Sequence, residues 1–506
     1  MLDVRQLVVL GAVVALGYVL SRRLSRDPRE PPTVGSGIPV VGHLLGLLWH
    51  GVAYFSIMTE KYSYPIFSLD MLFGKVYLVT SPALLQAVQR NRALTFDPFL
   101  TFSAERIAGI RGTGLELMRE KQSGGQGLNQ TVVHAIHPTL TGRALDRMNE
   151  RMAQLLSPMV DELAKCKTVD LYAWCTRVIT AASTEASYGP LNPYRNREIE
   201  DAFWAYESNL SPLTANFLPW LTARKAWKGR ETAVAALVKY YEQGGQEDGS
   251  ELTYVRWKTL REGGMSVEDT ARSEVTMAIG LLSNTVPASF WVLFELYSRP
   301  ELLEEIRQEV VRHALRVTPD QVHVIDISAL RDHCPLLISF FQEVLRTRTS
   351  TSPTRFVLDD LILADQYLLR SGSVLSMPGA SMGRNPDAWG STAGDFDPRR
   401  FIKTDKTPRR TGGFMTFGVS PVLCPGRHFA SSEILGIAAM MMLRYDLAPV
   451  DGAWNPPRLN SMAITSITRP IKGGFDVRVS ARKEYEGVKW DCETRAGNGM
   501  FNLMVG

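Results

Sequence analysis

The chain has 506 residues, 45% of them apolar and 21% charged, which is material for a large core and excludes a mostly disordered protein. Its 56 basic and 52 acidic residues leave a formal net charge of +4, too near neutrality for a nucleic-acid-binding chain. Five widely spaced cysteines (Cys166, Cys175, Cys334, Cys424, Cys492) with no C-x-x-C pair exclude a disulfide framework and a structural zinc site, and fit a reducing, cytosol-facing compartment.

The first element is an uncharged run from Leu7 to Leu20, LVVLGAVVALGYVL, followed by Arg22, Arg23, Arg26 and Arg29. The alternatives are a cleaved signal peptide, which carries its charges before the apolar run whereas here the excess lies after it, and a buried core helix, although this run shows no polar face. It reads as an uncleaved anchor over 1–21, with the arginines holding the rest of the chain in the cytosol. Pro28 to Gly42, PREPPTVGSGIPVVG, reads as a stiff linker within 22–42, because proline fixes the chain extended and glycine supplies turns.

A β-hairpin is predicted over Ile66–Leu72 and Lys75–Thr80, and Ser81-Pro82 marks the start of a helix. From there to about Leu345 helical periodicity dominates, most clearly over Leu140–Val160, Glu198–Asn209, Glu231–Gln243, Val267–Ser298 and Pro300–Leu315. A β-rich patch follows from Phe356 to Met377, with Asp359-Asp360 and Ser371-Gly372 as turn signals. The fold class is mainly α with small β-sheets packed at one side.

The chemistry concentrates in Phe414–Phe429, FMTFGVSPVLCPGRHF, ahead of an apolar-periodic helix from Ala430 to Leu443. Cys424 stands in a Gly/Pro-bearing loop just before a helix N-terminus. Loop amides and the helix dipole favour a thiolate there, the form that a soft metal or haem iron needs. Gly418 and Gly426 let backbone approach a flat cofactor, and Phe417 can shield the sulfur from water. A Cys-Pro-Gly alone is more often a free structural cysteine, so the rest of the chain decides.

Phe417, Cys424 and Gly426 are spaced as in the proximal loop of the haem-thiolate monooxygenases, the cytochromes P-450. Glu343-Val344-Leu345-Arg346 matches that family's E-x-x-R, and Phe396 to Phe401, FDPRRF, its F-x-P-x-R-F segment. The three motifs occur in the family's order, and the resemblance covers essentially the whole chain. It implies the cytochrome P-450 fold, with residues 43–506 as one large haem domain, and the cofactor haem b (iron protoporphyrin IX) with Cys424 as iron ligand. O2 and NADPH are implied as co-substrates, through an NADPH-dependent flavoprotein reductase that meets the Cys424 side near Arg427. The implied setting is the endoplasmic reticulum membrane, single-pass, with a lipophilic substrate. Glu343 and Arg346 share a helix face, and Arg400 can reach the same carboxylate, giving a structural network; an exposed pair of that kind would be worth only a few tenths of a kcal/mol. Arg355 matches the arginine that binds a haem propionate. His134 is either a second propionate donor or a plain surface histidine.

In the predicted helix over 267–298, Thr285 occupies the position of the threonine that helps deliver protons during oxygen activation. Pro287 favours a break in the ladder beside it, and the alternative is a threonine bonded to its own i−4 carbonyl. Several positions depart from the pattern. Asn284 replaces the usual acid, Leu281-Leu282 the usual Ala-Gly pair, Ser420 a glycine and Val422 a basic residue, and the tryptophan expected near His134 and His137 is missing. The run from Asn284 to Trp291 is similar to the branch containing sterol 7α-hydroxylases and prostacyclin synthase, so a rearrangement without external electrons is the alternative to hydroxylation. An aromatic cluster, Phe203, Trp204, Tyr206, Phe217, Trp220 and Trp227, is either a substrate lid facing the membrane or plain core. Because residues 285, 343, 355, 400 and 424 must meet around one haem, the roughly three domains that length alone suggests become one.

Overall fold

The computed structural model describes residues 27–505 apart from 39–40, 72–73, 120–126, 351, 403–411, 496 and 498. The expected anchor over 7–20 lies outside the described residues. The architecture is mainly helical with small sheets, in agreement with the sequence.

The predicted hairpin forms as β2 (Ile66–Met71) and β3 (Gly74–Val79), beside β1 (Thr33–Val34). With β4 (Leu94–Thr95), β5 (Thr354–Val357) and β6 (Val374–Ser376) they make a six-stranded sheet in the order β1-β2-β3-β6-β5-β4. The two β-rich patches of the sequence therefore join into one sheet through the parallel pairing of β3 with β6.

Strand β1 corrects the linker reading. Thr33 and Val34 pair in parallel with Ser68 and Leu69, Ser68 N donates to Pro32 O at 2.8 Å, and buried Glu30 takes ion pairs from Lys75 and Arg370. Proline and glycine in this stretch shape an edge strand docked on the sheet, so the globular part begins well before residue 43.

The helices that position the site have identifiable starts. Asp170 caps α1 (Leu171–Tyr188), accepting from Tyr172 N at 3.0 Å, and Asn196 caps α2 (Arg197–Glu207), accepting from Glu198 N at 2.9 Å. Ser266 caps α3 (Val267–Leu282), accepting from Asp269 N at 2.9 Å, with Glu268 and Asp269 in the first turn where the dipole favours negative charge. The helix expected over 267–298 is two helices, α3 and α4 (Thr285–Tyr297), separated at Ser283-Asn284. Together Val267–Tyr297 is long and apolar enough to cross a membrane, but 83% of its most apolar window is buried inside the protein, so its apolarity serves the core. The helix expected from Glu231 begins at Arg224.

Two more helices complete the frame. After α5 (Pro300–His313), α6 (Pro335–Arg348) has no side-chain cap of its own. Instead both carboxylate oxygens of Glu309, on α5, accept its first amides, Leu336 N and Leu337 N, each at 2.9 Å. Helix α4 packs against α1, α6 and α7 (Arg427–Arg444), and one continuous apolar core runs from Ala104 to Phe501. All five cysteines are free thiols.

Glu433, on α7, is fully buried in that core, and Ser183 Oγ donates to its carboxyl (2.9 and 2.7 Å to the two oxygens). Burial pushes it up to about 8, with the Ser183 hydroxyl pulling it back. Folding therefore holds a proton on Glu433 that the unfolded chain releases above its ordinary value of about 4.5. Stability is fully present below that value, falls by about 1.4 kcal/mol per pH unit as pH rises toward the folded value, and levels off above it. Glu433→Gln is expected to flatten the fall of unfolding temperature between pH 5 and 8 (about the two titration points). An equally steep fall in the variant would show that Glu433 is ionised in the fold.

Candidate functional site

Cys424 lies between a tight hairpin and a helix. Strands β7 (Gly418–Val419) and β8 (Val422–Leu423) pair antiparallel, Cys424 N donates to Phe417 O at 2.8 Å, and α7 begins three residues later. Gly418 is required by the hairpin itself. Its φ is +87°, and an added Cβ would stand 2.5 Å from Val422 O. At Gly426, by contrast, an added Cβ would meet no protein atom within 4 Å. Phe417 is buried against Phe414, with ring centroids 6.2 Å apart.

Burial pushes the Cys424 thiol above its ordinary range, against a pull downward from the Gly426 and Arg427 amides and the Arg427 charge. The expected loop amides are thus in place, yet in the protein alone desolvation outweighs them. A bound metal cation would reverse that balance, since a coordinating thiol is deprotonated outright. Arg427 Nη1 donates to Cys424 O at 2.9 Å, which turns this guanidinium toward the loop.

On α6, Arg346 grips Glu343 in a two-pronged contact, Nε to Oε2 at 2.7 Å and Nη2 to Oε1 at 2.6 Å, with both side chains fully buried. Arg400 Nε reaches both carboxylate oxygens at 3.2 Å, and Asp397 N donates to Oε1 at 2.8 Å. The remaining guanidinium protons go to the carbonyls of Gly383, Thr392, Ala393 and Asp395 and to the Thr392 hydroxyl. Thr349, just after α6, shares a 2.7 Å hydroxyl contact with Thr416, so the network's helix is joined directly to the cysteine loop.

Arg355, on β5, is buried and donates to Val419 O at 2.6 Å and Thr354 O at 2.8 Å. Burial lowers its affinity for a proton, and no carboxylate among the described residues pairs with it. His134 stands apart: it is exposed, and its Nδ1 contacts Gln130 O, one turn back on its own helix, at 2.8 Å. That placement is the surface-histidine alternative.

At the break between α3 and α4, Thr285 Oγ1 donates to Leu281 O at 2.9 Å, the back-bond that was the bland alternative, while the helix also breaks next to it. Pro287 has no N–H, and the Ser283 carbonyl that it leaves free accepts from Ser466 Oγ at 3.0 Å. Asn284 Oδ1 accepts from Ile467 N at 2.7 Å. Sequence reasoning identified the break through Pro287 and missed this C-terminal segment, which carries no motif.

Residues 31–475 match the family model described as Cytochrome P450. The chain belongs to the cytochrome P450 family. Among curated relatives of this P450 is cytochrome P450 monooxygenase nodJ of Hypoxylon pulicicidum, 42% identical, with 99% of each chain covered. A human 7-alpha-hydroxycholest-4-en-3-one 12-alpha-hydroxylase is 25% identical, covering 88% of this chain and 92% of its own. Among solved structures, a retinoic acid-bound cyanobacterial CYP120A1 superposes with a TM-score of 0.70 at 17% identity, covering 90% of this chain and 99% of its own, which shows the shared fold.

As a P450 monooxygenase, the protein uses haem, O2 and electrons from NADPH delivered through a reductase. The residues present fit the cofactor. Cys424 would supply a soft ligand, Gly426 leaves its side of the loop clear, and Arg355 is a buried cation for which a propionate would be a fitting anion. When bound, the haem activates O2, and a thiolate ligand favours cleavage of the O–O bond. Around such a haem, Phe417 would keep water from the sulfur, Glu343 and Thr349 would hold the proximal loop, and Thr285, whose hydroxyl lies at the helix break, would be the residue to assist proton delivery. Thr285→Ala is expected to shift unfolding only slightly, since it removes one back-bond worth about 1 kcal/mol. It should divert NADPH consumption away from product, measured as product formed per NADPH; unchanged coupling would remove Thr285 from the mechanism.

Proposed function

We propose that this P450 is a membrane-anchored monooxygenase of secondary metabolism that hydroxylates or otherwise oxidises a bulky lipophilic terpenoid, steroid or polyketide. The observation that carries the reaction class is the Cys424 loop held against the buried Glu343 network. The substrate class is supported by the relatives, which include fungal monooxygenases and a steroid 12-alpha-hydroxylase.

Membrane attachment is supported by the apolar run over 7–20 and by exposed apolar side chains. Phe203 and Tyr206 of the aromatic cluster are core residues, but Phe217, Trp220 and the adjacent Leu221 are exposed, as is Trp49. The arrangement is a single pass in the endoplasmic reticulum membrane over 1–21, a short connection, and a cytosolic catalytic unit. An NADPH-dependent flavoprotein reductase docks on the Cys424 side. Rearrangement without external electrons rested on Asn284, and the acceptor oxygen of Asn284 is taken by the Ile467 amide.

The test is metabolite profiling of cells with and without this chain, followed by reconstitution of the haem-loaded protein with a reductase. Product requiring both NADPH and O2 is expected; full turnover lacking either overturns the reading.

A further inference from the structure

A cavity of about 210 Å³ adjoins the helix break, walled by Trp204, Glu207, Ser208, Ser283, Ser466 and Ile471. Its walls are tied together by the C-terminal segment that the motifs did not reveal. Thr465 Oγ1 donates to Glu207 Oε1 at 2.8 Å and Trp291 Nε1 to Arg469 O at 3.0 Å, in addition to the bonds from Ser466 and Ile467 to the break. Ser350 N donates to Ile467 O at 2.8 Å from the other side. The cavity is therefore held in shape by its own hydrogen bonds, the condition for binding at low entropic cost.

Two groups in this wall, the Ser283 hydroxyl and the Glu207 carboxyl, can take a further partner. The Ser283 hydroxyl is buried without a hydrogen-bond partner, although it lies close enough to Glu207 to pull on its carboxyl. Glu207 forms no ion pair with any lysine or arginine among the described residues. Burial pushes its carboxyl up, and the Thr465, Ser283 and Ser208 hydroxyls pull it back. Leaving the Ser283 hydroxyl unpaired in the interior costs about 1–3 kcal/mol, so the wall favours an occupant that satisfies it beside the Glu207 carboxyl.

A hydroxyl group fits that pair better than the alternatives. Carrying both a donor and acceptors, it pairs with the Glu207 carboxyl whether that group is protonated or ionised and accepts from Ser283 Oγ as well, whereas a carbonyl cannot donate to an ionised Glu207 and an ammonium cannot accept from Ser283 Oγ. At about 210 Å³ the cavity has room for a hydroxyl and the ring that bears it. We propose that this cavity is a polar subsite in which Glu207 and Ser283 receive a hydroxyl group on an otherwise lipophilic substrate. The proposal rests on the lipophilic-substrate reading above and adds a second, polar requirement to it.

The test titrates the haem-loaded full chain with androstane and with its alcohol, androstanol, following the change in haem absorbance on binding. Androstanol is expected to bind about tenfold more tightly, the value of one good hydrogen bond. Glu207→Ala should bring the two affinities together. Glu207→Gln, which keeps an acceptor oxygen, and Thr465→Val, which removes the loop tie but not the carboxyl, should both retain the preference. No preference in the natural protein, an undiminished preference in Glu207→Ala, or loss in Thr465→Val equal to that in Glu207→Ala would each overturn the subsite. Absence of any spectral change with both compounds would overturn the lipophilic-substrate reading together with it.

Discussion

Glu343→Ala should yield a chain that does not take up haem. Glu343 is the one carboxylate that two fully buried guanidinium groups, Arg346 and Arg400, close upon. Removing it leaves two interior cations with only neutral groups, carbonyls, the Thr392 hydroxyl and the Trp389 ring, around them. Breaking a buried pair in this way costs about 3–5 kcal/mol, a large share of the 5–15 kcal/mol by which folded proteins are ordinarily stable. The damage would fall on the cysteine loop, because the same carboxylate accepts from Asp397 N and the same helix contacts Thr416. Glu343→Gln keeps an acceptor for Asp397 N but not the charge, so it should retain partial uptake. The measurement is haem absorbance relative to protein absorbance after purification. Normal loading of Glu343→Ala would refute the view that this network holds the proximal side.

What the sequence made legible here is what short spacing encodes. Glu343 and Arg346 are one turn apart, and Cys424 precedes its helix by three residues, so motif and geometry coincide. Pro287 announced the broken helix for the same reason, since the loss of one backbone donor is a local event. The partners that complete these features were not legible, because the chain returns to them from far away. Arg355 meets Val419 across 64 residues, and Asn284 meets Ile467 across 183. The cap of α6 comes from Glu309 on another helix, which no pattern within α6 reveals. Pro28–Gly42 misled for a related reason: proline and glycine fix local conformation, but whether an extended segment stays free or docks as β1 is decided by the sheet that receives it. The thiol of Cys424 makes the point energetically. Its helpful amides could be read from the loop, whereas the desolvation that outweighs them is a property of the finished core.

That imbalance underlies the second large effect. Within the protein alone, burial favours a protonated Cys424, so with Cys424 as its ligand the iron and the cysteine would depend on each other: the metal would supply the charge that stabilises the thiolate, and the thiolate the bond that holds the metal. Cys424→Ala removes the ligand while changing little else, because the hairpin is closed by the backbone of residue 424, whose N–H bonds Phe417 O, and not by its sulfur. The variant should fold with its helix content intact, and Arg355 should still hold a propionate, so some haem can remain associated. It should nonetheless show no red-shifted band after reduction and treatment with carbon monoxide, and no NADPH-supported product. Cys424→Ser, with a harder ligand whose ordinary protonation lies higher still, should behave nearly alike. Retention of the red-shifted band in Cys424→Ala would assign the iron to another residue, and the buried thiols of Cys175, Cys334 and Cys492 offer no ready substitute, since burial pushes each of them well up.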